Sequence, residues 1–388
     1  MKLSERIRYV GVNDMQTKLF ENQWPLPFGV SYNSYLVVDD KVALIDTAAA
    51  AFKDQFLANI KQEIGDRKVD YLVVNHMEPD HSALQAVIRK EYPDCTIVTN
   101  AKAVPMIEGY QGITDNVLTI KEGECLQLGE TTLQFFMAPM VHWPETMVTW
   151  CKEENTLFSG DAFGCFKAAP NCVNDSKSGT FEDYEDEMTR YYSCIVGKYG
   201  GPVQNALKKL GSLGFKRICS THGPVWENDI VKVVNLYDRL SRYEVSRGVC
   251  LAYGSMYGNT EKAALALADE LQNRGIPCAV HNLTVENYSF ALKDVFNYDT
   301  VILGSPTYNN GIFPPVRQFM QAICDRQVKG RKFFAFGSFT WAAASVKLLT
   351  AMATEAGFEI LGDGVTFKQG YSADKFDAGS IVTQFILC

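Results

Sequence analysis

Five histidines occur in the chain, at His76, His81, His142, His222 and His281, and four of them fall in a pattern suited to metal chemistry. The segment His76-Met77-Glu78-Pro79-Asp80-His81 packs two imidazoles and two carboxylates into one loop. It follows a short apolar run at residues 71–75 that reads as a strand. His142, Asp161 and His222 lie far apart, yet each also follows a strand-like run, at residues 133–138, 156–159 and 217–220. Loops at one end of an α/β sheet converge in space, so these seven side chains can meet. A single histidine is more often a hydrogen-bonded core or surface residue than a ligand. Four of them, with three carboxylates in equivalent positions, weaken that bland reading sharply. His281 sits inside a strand-like run, residues 278–282, with no carboxylate beside it, and is read as structural.

Imidazole and carboxylate donors without thiolate favour iron or manganese over a structural zinc site, with zinc as the second assignment. Seven donors exceed the needs of one ion and suit two ions sharing a carboxylate. The reading places His76, Glu78 and His142 on one metal, Asp80, His81 and His222 on the other, and Asp161 between them. No catalytic residue is picked out beyond these ligands. Asp46, at the end of the run 42–45, is a candidate for orienting a ligand histidine, against a simple turn carboxylate.

A second constellation lies downstream. Gly254-Ser255-Met256-Tyr257-Gly258-Asn259-Thr260 joins a strand at 249–253 to a helix at 260–273. Hydroxyls and free N–H groups at a helix start make an anion cradle. The segment is neither GxGxxG nor a lysine-bearing triphosphate loop, which disfavours a dinucleotide or ATP. Two further loops, residues 304–311 and 337–341, follow the strands 300–304 and 332–336 at the same sheet edge. They bring Tyr308 and Trp341, aromatic faces for a flat ring.

The elements that must position these groups change character along the chain. Residues 36–236 alternate short β-rich runs with loops and helices, among them a strand pair at 34–38 and 42–45 around Asp39-Asp40, which implies α/β layers. From residue 249 strand and helix alternate regularly, the pattern of a doubly wound parallel sheet closing near 358–361. The expected division is 1–248 and 249–388.

The H-x-E-x-D-H segment with the separate His142, Asp161 and His222 resembles the metallo-β-lactamase-like domain of the flavodiiron proteins, also called A-type flavoproteins. Zinc hydrolases of that fold usually carry histidine where this chain has Glu78, a hard anionic donor suited to ferric iron. The three downstream loops resemble those of flavodoxin over residues 249–388. The resemblance implies an N-terminal αββα sandwich fused to a C-terminal flavodoxin-like domain. It places the phosphate of flavin mononucleotide (FMN) on Ser255, Met256, Gly258, Asn259 and Thr260. The isoalloxazine would lie among Pro306, Thr307, Tyr308, Asn309, Gly311 and Trp341, with Ser338 in the third loop. It further implies two non-haem iron ions, and reduction of dioxygen to water, of nitric oxide to N2O, or both. Electrons would come from an external donor, a rubredoxin-like protein or a reduced deazaflavin, and pass through FMN. A head-to-tail homodimer or dimer of dimers would bring one subunit's flavin to the other's irons. With no CxxC pair the chain resembles the two-domain class without a C-terminal rubredoxin. Two rivals stand beside it: a zinc hydrolase with a flavodoxin-like domain, and an electron carrier whose metal domain only binds partners.

Composition is that of a globular protein. The 388 residues are 47% hydrophobic and 21% charged, enough for two cores. A net charge of −8 argues against general nucleic-acid binding. No apolar leader follows Met1, and the most apolar stretch, residues 333–353, carries Gly337, Ser338, Thr340, Ser345 and Lys347. The expectation is a cytoplasmic protein with no membrane span. Eleven irregularly spaced cysteines point to reduced thiols rather than a disulfide framework. The segment 164–178, with Cys165, Lys167 and Cys172, is expected to line the substrate pocket.

Overall fold

The computed structural model describes residues 1–172 and 179–386. They form two compact units, Met1–Tyr192 with Gly201–Asp238, and Ser193–Gly200 with Arg239–Cys388.

The first unit contains two sheets. One runs in the order Ile7–Tyr9, Tyr35–Val38, Val42–Ile45, Tyr71–Val73, Thr96–Asn100, Val117–Ile120. The two-residue connection Asp39-Asp40 leaves no room for a crossover, so its flanking strands pair antiparallel. Beyond Val42–Ile45 the strands are parallel, because the helices Lys53–Ile64, Gln85–Glu91 and Val104–Gln111 carry the chain back each time. Lys53–Ile64 buries Phe56, Ile60 and Ile64, four residues apart, as a one-faced helix should. The other sheet runs Cys125–Gln127, Thr132–Met137, Met147–Cys151, Thr156–Gly160, Arg217–Ser220. It is an antiparallel meander until its last pair, which is parallel.

Alternate residues of both sheets point inward. Tyr35 and Val37, Ala43 and Ile45, and Val73 and Val98 join Leu133 and Phe135, Met147, Cys151 and Phe158 in one buried cluster. This is the period-two pattern of strands packed on one face, and it makes two sheets with a shared core. Helices lie outside, which is the αββα layering that the resemblance implied.

The second unit is a parallel sheet in the order Cys278–Asn282, Ser246–Tyr253, Tyr298–Gly304, Lys332–Phe339, Glu359–Ile360. Val365–Lys368 pairs farther along Lys332–Phe339, also parallel. Counted by appearance the order is 2-1-3-4-5, the flavodoxin-like arrangement, with its cleft beyond the strand ends where the winding reverses. The sequence reading closes the sheet near 358–361 and does not foresee Val365–Lys368. Only Phe367 of that strand is buried, so no apolar run advertises it. No helix among the described residues is long and apolar enough to cross a membrane. No disulfide joins the ten described cysteines.

His281 is structural, as its sequence suggests, but carboxylates do lie beside it. It is the penultimate residue of the edge strand, with Nε2 2.9 Å from Asp294 and Nδ1 3.1 Å from Glu286. Burial lowers its basicity, but the two carboxylates outweigh burial and push it up to about 9. A histidine raised above its ordinary value near 6.5 contributes its full stabilisation below about pH 6.5 and loses it as pH rises through about 9. The unfolding midpoint of the chain should therefore decline between pH 7 and 10. His281→Gln should flatten that decline in a thermal melt series, and an unchanged slope would exclude this pair as its source.

Candidate metal centre and flavin cleft

The metal-type residues are delivered by strand ends. After Tyr71–Val73 the chain is fixed by Asp46, whose carboxylate accepts Asn75 N–H at 2.8 Å and the Asn75 amide at 3.1 Å. Thr149 Oγ1 donates to Asn75 Oδ1 at 2.7 Å. Asp46 thus sets the loop before His76 rather than touching a histidine. Pro79 opens the short helix Pro79–Ser82, where its fixed φ suits the first position. Thr47 holds that turn by donating from N–H and Oγ1 to His81 O at 2.8 and 2.9 Å.

All seven candidate residues come together, in two groups on the two oxygens of Asp161. His142 Nε2 lies 3.1 Å and His76 Nε2 3.5 Å from Asp161 Oδ2. Glu78 Oε2 completes that side, 3.0 Å from His142 and 3.6 Å from His76. On the other side, His81 Nε2 is 3.2 Å and His222 Nε2 3.6 Å from Asp161 Oδ1. Asp80 completes it, 3.1 Å from His222 and 3.8 Å from His81.

Charge is concentrated there. Burial opposes protonation of His81 and His142, yet Asp161 with Asp80 or Glu78 pushes each up to about 9. Burial would raise Asp161, but His81, His142 and His76 hold it well below the usual carboxylate range. The Nε2 atoms of His76, His81 and His222 and both Asp80 oxygens are buried without a hydrogen-bond partner. Such orphans are rare because each loses its hydration uncompensated. Cations among them remove that cost and displace the imidazole protons. The donor set is nitrogen and oxygen only, as hard or borderline metals require.

Several supports were invisible in the sequence. Glu145 Oε1 lies 2.7 Å from His76 Nδ1 and accepts Met77 N–H at 3.0 Å. His222 Nδ1 lies 2.8 Å from Ser31 O, and Thr221 Oγ1 donates to Asp161. Phe20 and Tyr32 stand edge-on to the His222 ring, 5.2 and 5.9 Å away. Glu21 brings another carboxyl against Glu78, and burial with the Glu78 charge pushes it up to about 7. Only a carboxylate a few residues past His142 could have hinted at Glu145. Of the segment 164–178, Cys165 and Cys172 are buried and Lys167 Nζ lies 4.7 Å from the Tyr184 ring centre. Residues 173–178 lie outside the described residues.

The second unit carries a cavity of about 560 Å³ at its strand ends, of cofactor size. Ser255, Met256, Asn259, Thr260, Pro306, Thr307, Tyr308, Asn309, Ser338 and Trp341 line it. Gly258 and Gly311 do not. Gly258, at φ +81°, turns the chain into the helix Asn259–Asn273, and its N–H donates to Ser255 Oγ at 3.1 Å. Gly311 pairs with Tyr308 in a two-residue ladder that shapes the second loop. Gln369 and Gly370 also reach the cavity, from the chain after the unforeseen strand, tied in by Tyr371 N–H donating to Asn259 Oδ1 at 3.1 Å. Trp341 is 83% exposed, a bare ring face beside a cavity whose wall, among the described residues, carries no charged side chain. An aromatic ligand with an anionic tail on the helix N-terminus fits this lining.

Known proteins give the same picture. The ODP family beta lactamase profile matches residues 30–223 and the flavodoxin profile residues 251–378. The nitric oxide reductase of Moorella thermoacetica is 31% identical, over 93% of this chain and 91% of its own length. Rubredoxin oxygen:oxidoreductase from Desulfovibrio gigas superposes with a TM-score of 0.94 at 30% identity, covering 99% of this chain and 97% of that one. The flavodiiron protein from Giardia intestinalis gives 0.93 at 26%, covering 99% and 95%.

Proposed function

This chain belongs to the flavodiiron protein family, and from that premise we propose that it is an oxidoreductase that reduces dioxygen to water, with nitric oxide as the alternative substrate of the same site. The observation that carries the proposal is Asp161, one carboxylate with a separate histidine–carboxylate group on each oxygen. That is the donor arrangement two ions need, and Glu78 makes it harder and more anionic than an all-histidine set.

In this reading residues 1–248 carry the metals and residues 249–388 the flavin. His76, Glu78 and His142 would hold one iron, Asp80, His81 and His222 the other, with Asp161 shared. The loop at 255–260 and the residues Pro306, Thr307, Tyr308, Asn309, Gly311, Ser338 and Trp341 would hold FMN. When bound, the irons supply a redox-active pair that can hold a diatomic oxidant, and FMN supplies a store for two electrons. The protein's own part is placement. Glu145 and Ser31 fix the ring orientation of His76 and His222 through their Nδ1 atoms. Phe20, Tyr32 and Trp143 surround the imidazoles with apolar edges that limit water.

The external donor is a separate redox carrier, rubredoxin-like or a reduced deazaflavin, and the working form is a head-to-tail homodimer. The relative named rubredoxin oxygen:oxidoreductase supports the dioxygen reading and such a donor. The relative named nitric oxide reductase supports the alternative.

The test is to reduce the purified chain without air and mix it separately with O2 and with NO. Flavin reoxidation by at least one gas should scale with bound iron. Reoxidation independent of iron, or a chain made with iron available that holds zinc alone, would overturn the reading.

A further inference from the structure

Thr284 reaches the phosphate loop from outside the three loops that form the flavin cavity. Its Oγ1 accepts Ser255 N–H at 3.0 Å. The same turn is tied to both ends of the loop. Leu283 N–H donates to Tyr253 O at 2.8 Å, just before it, and Asn282 Nδ2 donates to Glu261 Oε1 at 3.3 Å, just after it. Asn282 Oδ1 in turn accepts Thr284 N–H at 3.0 Å.

The turn has its own anchor. His281 bridges Glu286 within the turn and Asp294 on the helix Tyr288–Asn297, through opposite ring nitrogens at 3.1 and 2.9 Å. That clamp fixes both sides of the five-residue connection that carries Thr284. Ser255 is the residue it reaches, and Ser255 is where the loop is shaped. With its N–H committed to Thr284, Ser255 turns its Oγ to accept Gly258 N–H at 3.1 Å and Glu261 N–H at 3.4 Å. The first-turn N–H groups of Asn259 and Thr260 have no intrahelical partner and face no competition from this network.

We propose that Thr284 and His281 are positioning residues for the flavin's phosphate: the His281 clamp holds the turn, and Thr284 holds Ser255 in the shape that receives a phosphomonoester. The proposal rests on the FMN reading of the cavity. It concerns the phosphate end alone, because the ring end is built by the loop after Gly304 and by the end of the strand Lys332–Phe339 with the residues that follow it. A side chain that shapes only this loop alters affinity for FMN and leaves that for riboflavin, the same ring without phosphate, unchanged.

The experiment titrates riboflavin into the FMN-loaded full chain and reads the concentration that displaces half of the FMN. Thr284→Val keeps the branched shape and removes the acceptor. It should lower the half-displacing concentration roughly tenfold, about 1.4 kcal/mol, as FMN alone weakens. Thr284→Ser restores the acceptor and should behave as the original chain. His281→Gln should shift the ratio in the same direction as Thr284→Val. A half-displacing concentration unchanged in Thr284→Val means that both flavins weaken equally or not at all, and overturns the proposal. A wild-type chain purified without any FMN would instead overturn the cofactor reading beneath it.

Discussion

Asp161→Asn should cost the chain its reductase activity while sparing its flavin. Both Asp161 oxygens are in use, Oδ2 toward His76 and His142, Oδ1 toward His81 and His222. Asparagine replaces one of those acceptors by an N–H2 donor, which cannot bind a cation and meets the imidazoles with the wrong polarity. The residue is fully buried, so no water can substitute. Iron should fall from two per chain to at most one, and gas-dependent flavin reoxidation should slow by about 1000-fold or more, roughly 4 kcal/mol of barrier. FMN content should stay the same, since the described residues that line the flavin cavity belong to the second unit. Elemental analysis with anaerobic stopped-flow absorbance reads both quantities. A variant holding two irons and reacting at the original rate would show that the two metals do not share Asp161.

Glu145→Ala should act one step further out. Its carboxylate receives the Met77 N–H and faces His76 Nδ1, so it fixes the ring whose Nε2 points at Asp161. Burial would raise Glu145, but the His76 contact holds it below the usual carboxylate range, so it faces the imidazole as an anion. Alanine leaves the buried Met77 N–H without a partner, a loss of about 1–3 kcal/mol, and leaves His76 Nδ1 with Thr146 Oγ1 alone, at 3.4 Å. Metal affinity on the His76 side should drop about 10–100-fold, read by competition with a coloured chelator. Glu145→Gln, which keeps an oxygen for Met77 N–H, should fall between the two. Equal chelator curves for all three would show that His76 is held without Glu145, by Thr146 and packing.

The parts of this protein that were legible in its sequence are those written in short-range patterns. Short apolar runs rich in β-branched and aromatic residues at 34–38, 42–45 and 133–138 announce strands, because such side chains fit a pleated, buried surface. The regular strand–helix rhythm after residue 249 announces a parallel sheet, because each return needs a crossover. His76, Glu78, Asp80 and His81 were legible because imidazoles are scarce in this chain and carboxylates beside them are informative. His142, Asp161 and His222 were legible because each follows a strand, and strand ends share an edge.

Other features had no such signature. The hairpin of Leu19–Phe20 with Trp24–Pro25, which brings Phe20 to His222 and Glu21 to Glu78, leaves no periodic trace in four paired residues. Val365–Lys368 hides because one buried side chain makes no pattern. Glu145 on His76, Ser31 on His222, and Glu286 with Asp294 on His281 join residues from 5 to 191 positions apart, and no spacing rule spans such gaps. Which residue types were available and which local shapes they would take follow from short-range preferences, since propensity, pleat and turn act over a few residues. Which oxygen of Asp161 faces which imidazole, and which carboxylate steadies which ring, was decided only when two sheets packed face to face, because those distances are set by the shared core.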